Sequence, residues 1–209
     1  MKDRTGFSPA GRAGFGACTV VLLLAVGVGC ASTPDAGAAG PRPREGQEGG
    51  VPSVALWTGG SQAFTALVEN DDIIGATMSL HRASSGSGTS FQGSAFDRSV
   101  NVSFDGSSAH GIVGNEPLNL DVSDGPNGVI RIRGIVGGAS TSLDIGANRL
   151  SGYVGRCIYD MARHDMAFRF EGVRNCSGGT HRARLEVTKP ILDWAPIETA
   201  TLLSLVLRH

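Results

Sequence analysis

The chain has no apolar run long enough to cross a membrane as a helix. Its most apolar stretch, Ala17 to Gly29, covers 13 residues, against the roughly 20 that a helical span needs. It has no Cys-x-x-Cys and no paired histidines, which removes the common structural zinc sites. It has no G-x-S-x-G elbow, Walker loop, H-E-x-x-H or dinucleotide fingerprint, so no motif supports the chemistries those sequences carry. No cluster of basic residues with interleaved aromatics occurs, and nucleic acid is not an expected partner. Nothing calls for a cofactor or a metal.

What the chain has in quantity is glycine, 31 of 209 residues, about twice the average share. The glycines punctuate a repeat. Gly111-Ile-Val-Gly-Asn-Glu-Pro-Leu-Asn-Leu-Asp-Val122 has a twin in Gly134-Ile-Val-Gly-Gly-Ala-Ser-Thr-Ser-Leu-Asp-Ile145. Looser copies begin at Gly93 and Gly152, and a degenerate one at Gly172. The leading glycines fall 18, 23, 18 and 20 residues apart, the spacing of a repeated supersecondary unit.

Within the clearest copy, Ile130, Ile132, Gly134 and Val136 share one parity and Arg131 and Arg133 the other. That alternation predicts a strand with one wet face. Gly137-Gly138 then separates it from a second alternating run through Leu143 and Ile145, which suits a tight hairpin. Gly114-Asn115, Asp97-Arg98 and Gly155-Arg156 hold the same place in the other copies. Asp105-Gly106, the stretch Asp124 to Gly128, and Gly146 to Asn148 supply turns between units. Further strands are predicted at Phe64 to Val68, Ile73 to His81, Phe91 to Phe96, Ala167 to Val173 and Arg182 to Thr188, with a hairpin tip over Ser84 to Thr89. The expected fold class is all-β: an antiparallel meander of repeated hairpins, forming a curled sheet or a small barrel, with a short C-terminal helix.

Gly134 and Gly152 share parity with apolar neighbours and belong on the buried face. A column of strand glycines there lets the sheet bend sharply or lets another backbone approach. After Val187 the pattern changes. Ile197 to Leu207 reads as a last strand through Leu203, Leu205 and Leu207, or as a helix with Pro196 at its first position and Glu198 in its first turn. The Leu and Ala content favours the helix. A helix so apolar needs an apolar surface, and the glycine-bearing side of the sheet is the candidate.

Residues 1–29 read as a signal peptide, with Lys2, Arg4 and Arg12 ahead of the apolar run. Val26-Gly27-Val28-Gly29-Cys30 resembles a bacterial lipobox, although Gly27 departs from the larger aliphatic or Ala usual there. The resemblance implies an acylated Cys30, as with palmitate, and a membrane partner reached through that lipid. Ala31 after the cysteine implies sorting to the outer membrane. The alternative is an ordinary leader cut near Ala31, releasing a periplasmic or secreted domain. Residues 30–52 form a lipidated Cys and a disordered linker, and 53–209 a single β-rich domain, its Gly-x-Val-Gly repeats running from about 93 to 187. The Gly-x-Val-Gly units look like those of bacterial lipoproteins of unknown function, a likeness that implies no activity. The end Leu207-Arg208-His209 lacks the terminal aromatic usual in the last strand of a membrane-embedded barrel, which counts against that class.

Of four cysteines, Cys18 leaves with the signal and Cys30 takes the lipid. Cys157 and Cys176 remain as an even pair in an oxidising compartment, so a disulfide is expected. The full chain carries 18 basic and 19 acidic residues. Residues 53–148 hold 4 basic and 9 acidic, net −5, and residues 149–209 hold 9 and 6, net +3. Such a split suits an anionic surface or glycan, or reflects an unevenly charged water face. His81, His110, His164, His181 and His209 are scattered. His164 beside Asp165, and Ser107, Ser108 and His110, are the nearest approaches to catalytic groupings, and neither satisfies the need for a nucleophile and base that meet in space. Asp121 to Gly128 has the oxygens of a calcium loop without its spacing.

The expected role is therefore an envelope lipoprotein that scaffolds or binds an envelope protein or glycan and catalyses nothing. A carrier of an apolar ligand or lipid is the first alternative, and a hydrolase with dispersed catalytic residues such as His110 or His164 the second.

Overall fold

A computed structural model describes residues 51–85, 88–164 and 168–209. The leader, Cys30, most of the linker, Asp165 and Ala167 lie outside these residues. Fourteen strands follow in sequence: β1 (Val54–Thr58), β2 (Ser61–Glu69), β3 (Asp72–Gly75), β4 (Met78–Ser85), β5 (Gly88–Ala95), β6 (Arg98–Asp105) and β7 (Ser108–Val113). Then come β8 (Glu116–Asp124), β9 (Ile130–Val136), β10 (Ala139–Ile145), β11 (Arg149–Val154), β12 (Cys157–Arg163), β13 (Phe168–Cys176) and β14 (Gly179–Val187). Two helices end the described chain, α1 (Lys189–Leu192) and α2 (Pro196–Arg208). Each strand pairs antiparallel with the next, and β14 pairs with β1 to close the barrel. The meander and the C-terminal helix expected from the sequence are both present, and the open alternative, a curled sheet, is replaced by full closure.

The strands alternate as their residues dictate. In β6, Val100, Val102 and Phe104 are buried while Asn101, Ser103 and Asp105 are exposed. Away from the two mouths the inward positions are apolar apart from Thr141. Outward positions include Asp121, Arg133, Asp144, Arg149 and Asp160. That polarity is the reverse of a membrane-spanning barrel, whose lipid face tolerates charge poorly.

One rim, here called distal, carries seven two-residue turns: Gly59-Gly60, Ala76-Thr77, Phe96-Asp97, Gly114-Asn115, Gly137-Gly138, Gly155-Arg156 and Ser177-Gly178. Two expectations need correction here. Ile73 to His81 is not one strand, because Ala76-Thr77 folds it into the β3–β4 hairpin. The turn placed at Asp97-Arg98 lies one residue earlier, with Phe96 and Asp97 both at positive φ. The sequence reading also missed β1, whose Val-Ala-Leu-Trp run does not alternate.

Six inward glycines, Gly75, Gly93, Gly111, Gly134, Gly152 and Gly172, occupy β3, β5, β7, β9, β11 and β13. A Cβ at any of them would lie 2.0 to 2.4 Å from a carbonyl oxygen of the preceding strand. The backbone that comes close is thus the neighbouring strand's. Each glycine sits two residues further along the register than the one before, as Gly93 opposite Leu80, and Gly111 opposite Val102, illustrate. The series follows the stagger of the strands round the wall. In β1 the corresponding place is Leu56, where the register with β2 shifts instead.

A closed barrel of this strand number, with strands about 4.8 Å apart and tilted roughly 35–45°, has a backbone radius of about 13 Å. Side chains alone fill a barrel of about eight strands. Here the lumen has room for one more element, and α2 is that element. Thr188 N–H bonds to Ser53 O at 2.8 Å at the proximal rim, and α2 runs from there to the distal turns. Its buried residues include Ile197, Leu202, Leu203, Leu205, Val206 and Leu207, with the polar Glu198, Thr201 and Ser204 buried beside them, a mostly apolar helix enclosed on all sides. It lies against β7, β8, β9 and β11. The inward side chains of that wall are aliphatic or small. Phe64, Phe91, Phe104, Tyr159 and Phe170 point inward from the other strands, and their bulk sets the helix off centre.

Candidate functional site

The plug is held at both ends by polar contacts. At the proximal mouth Glu198, 1% exposed, faces Arg82 on β4. Arg82 Nη2 lies 3.2 Å from Glu198 Oε2, and its Nε also donates to the carboxylate. Glu198 in turn accepts from the Ala195 N–H at 3.2 Å, capping its own helix. Arg82 reaches Asp71 at 3.4 Å and lies over Trp194 at 5.7 Å, and Trp194 packs on Phe91. An apolar cleft of about 160 Å³ remains here between Leu203, Thr199 and Trp194 and the wall at Ile130 and Phe168.

At the distal mouth Glu116 accepts from Arg98 and, at 3.1 Å, from Arg208. The Arg98 hydrogen bond, reinforced by Arg208, holds the Glu116 carboxyl below the usual range. His209 stacks on Phe96 with ring centroids 4.1 Å apart. Burial, with the Arg174 charge adding to it, lowers the pKa of its imidazole. Tyr159 donates to the carbonyl oxygen of Leu207, and burial raises the pKa of its phenol.

Cys157 and Cys176 form the disulfide expected of them. They sit on β12 and β13 beside the distal turns, next to the paired residues Ile158 and Asn175. The histidines do not converge. His81 pairs with Asp72 at 2.8 Å, and His110 with Asn119 at 3.2 Å, both on the water face. Ser108 donates to Asp121 at 2.6 Å rather than to His110. His164 is exposed after β12, and its neighbour Asp165 lies outside the described residues. Asp124 to Gly128 forms a turn with a short 3-10 segment at Pro126–Gly128. Among the described residues no group of three or more His, Cys, Asp or Glu side chains is placed to hold a metal ion.

The outer wall carries one constructed cleft that the sequence reading did not single out. About 520 Å³ in volume, it crosses β1, β14 and β13 below the Gly59-Gly60 turn. Trp57, Arg184 and Glu171 stand in one cross-strand row. The Arg184 guanidinium covers the Trp57 ring at 4.0 Å. Arg182 and Val173 form the next row. Trp57 and Arg184 come from opposite ends of the barrel sequence, and only closure of β1 on β14 brings them together.

These features define a helix-plugged, fourteen-stranded meander barrel with an apolar lumen and a charged outer wall. No protein-family model, curated protein or solved structure matches the chain.

Proposed function

We propose that this protein is a cell-envelope lipoprotein, tethered through Cys30 to the outer membrane, whose barrel is a non-catalytic body that binds an envelope partner on its outer wall. The observation that carries the reading is the occupation of the lumen by α2. A barrel filled by its own helix works through its exterior, and this exterior has both charge and a formed cleft. The lipobox-like Val26 to Cys30 and the low-complexity stretch behind it support a tether. His81 pairs with Asp72, His110 with Asn119 and Ser108 with Asp121 rather than as nucleophile and base, which favours binding over hydrolysis.

The first test is the intact mass of protein extracted from membranes, before and after reduction. A chain starting at Cys30 with added acyl mass, gaining two hydrogens on reduction, is the expected result. A start near Ala31 without lipid would overturn the tether and leave a free periplasmic or secreted domain. A second reading, carriage of an apolar ligand, draws on the cleft between α2 and the wall at Ile130 and Phe168. Lipid that co-purifies through native mass spectrometry would favour it, and a lipid-free spectrum from host-derived protein would exclude it.

A further inference from the structure

We propose that the cleft across β1, β14 and β13 is a binding site for a short acidic saccharide, with Arg182 and Arg184 as anion contacts and with Val173 and the part of the Trp57 indole that lines the cleft as its apolar floor. The inference deepens the partner-binding reading above and rests on it only for where the ligand would be met.

The volume of about 520 Å³ falls within the range of small-ligand sites. Its charge is arranged unevenly. Arg169 bonds to Glu171 and lies 3.4 Å from Glu186, and Arg184 lies 2.9 Å from Glu186. Both carboxylates are thereby engaged. Arg182 makes no ion pair among the described residues, and the Nε of Arg184 is buried without a hydrogen-bond partner. Of the charged side chains that line the cleft, Arg182 and Arg184 outnumber Glu171, so its lining is net positive. The Arg169 hydrogen bond also keeps Glu171 ionised by lowering its pKa, which fixes Arg169 in place rather than leaving it to the ligand.

The chemistry that fits combines a flat apolar face with a carboxylate. The C–H face of a sugar ring can pack on Val173 and the indole edge lining the cleft, since Arg184 already covers the Trp57 ring, and a guanidinium meets a carboxylate with two parallel bonds. Val173, exposed beside Arg182, extends the apolar floor. A long polyanion such as nucleic acid is disfavoured, because residues 53–148 carry net −5 and would repel any strand leaving the cleft.

The test is calorimetric titration of the full chain with a tetragalacturonate oligosaccharide, and with an uncharged tetrasaccharide as control. Binding of the acidic probe that weakens with added salt is expected, with the neutral probe weaker by about tenfold or more. Arg182→Ala, an exposed change with no structural partner to lose, should weaken binding by about tenfold, and Arg182→Lys should restore part of it. Arg149→Ala, outside the cleft, should leave it unchanged. The proposal is overturned by absence of binding at millimolar probe, by equal binding of the neutral probe, or by Arg149→Ala matching Arg182→Ala. If the mass measurement finds lipid on Cys30 while these titrations fail, the envelope reading stands and this site falls.

Discussion

Tyr159 on β12 donates its hydroxyl hydrogen to the carbonyl oxygen of Leu207, joining the barrel wall to the last turn of the helix inside it. The bond is buried, and it satisfies one of the carbonyls that a helix end leaves without an internal partner. Tyr159→Phe should lower stability by about 1–2 kcal/mol, read as an earlier urea midpoint with unchanged slope. The pH dependence has a definite sign. The unfolded phenol ionises near pH 10, whereas the folded one keeps its proton to higher pH. Above about pH 10 the unfolded chain binds fewer protons, so stability falls as pH rises. The Phe variant should lack that alkaline loss.

The ring of inward glycines makes a second prediction. Gly111 has no positive φ to explain it, yet a Cβ there would lie 2.0 Å from the Asn101 carbonyl oxygen and 2.7 Å from the Val102 Cα. Both obstacles are backbone and cannot swing aside. Gly111→Ala should cost more than about 3 kcal/mol, toward the upper end for single substitutions. Gly106→Ala, in an open turn with nothing within 4 Å, pays only for its φ of 57°, about 1 kcal/mol. Equal losses in thermal unfolding would refute the steric account.

Arg82 and Glu198 form the proximal latch, with the carboxylate 1% and the guanidinium 22% exposed. Arg82→Ala leaves a buried carboxylate short of its partner and should destabilise by about 3 kcal/mol or more. Glu198→Gln keeps shape and hydrogen-bonding capacity and should cost less. In the double variant the losses should fall short of additive, since the two residues share one interaction.

The distal latch should loosen in acid, in two stages. Burial and Arg174 depress the pKa of His209, so below about pH 6.5 the unfolded chain takes up a proton that the fold resists, and stability falls. Glu116 has a depressed carboxyl pKa, so its contribution is present above the ordinary value of 4.5 and is lost as pH falls through the folded one. Lower protection of the Val206 and Leu207 amides at pH 5.5 than at pH 7.5, once the intrinsic exchange rate at each pH is divided out, is expected. His209→Phe should abolish that first stage and keep the second.

Reduction of the Cys157–Cys176 bond, whose partners are 19 positions apart in sequence, should lower stability by about 3 kcal/mol in the loop-entropy account. The hairpin pairing of β11 to β13 should survive. A far-ultraviolet circular dichroism spectrum unchanged on reduction at 25 °C, with a lower Tm, is the expected pair of results.

Much of this barrel was legible along the chain because the information is local. Period-two alternation marks β6, β9 and β10, since one face meets apolar side chains and the other water. Gly-Gly and Gly-Asn mark the two-residue turns because the backbone there needs positive φ. The even cysteine pair and the apolar tail of α2 could be read the same way. Other features had no local signal. Val54, Ala55 and Leu56 of β1 are all buried, so the strand does not alternate, and Ala76-Thr77 turns without turn-favouring residues. The tertiary structure alone decided that the sheet closes, because closure depends on the stagger summed over every hairpin before β14 meets β1. Closure then set a lumen too wide for side chains, which placed α2 inside rather than on a face. It also set Trp57 beneath Arg184, and so made a cleft from two segments that share no sequence neighbourhood.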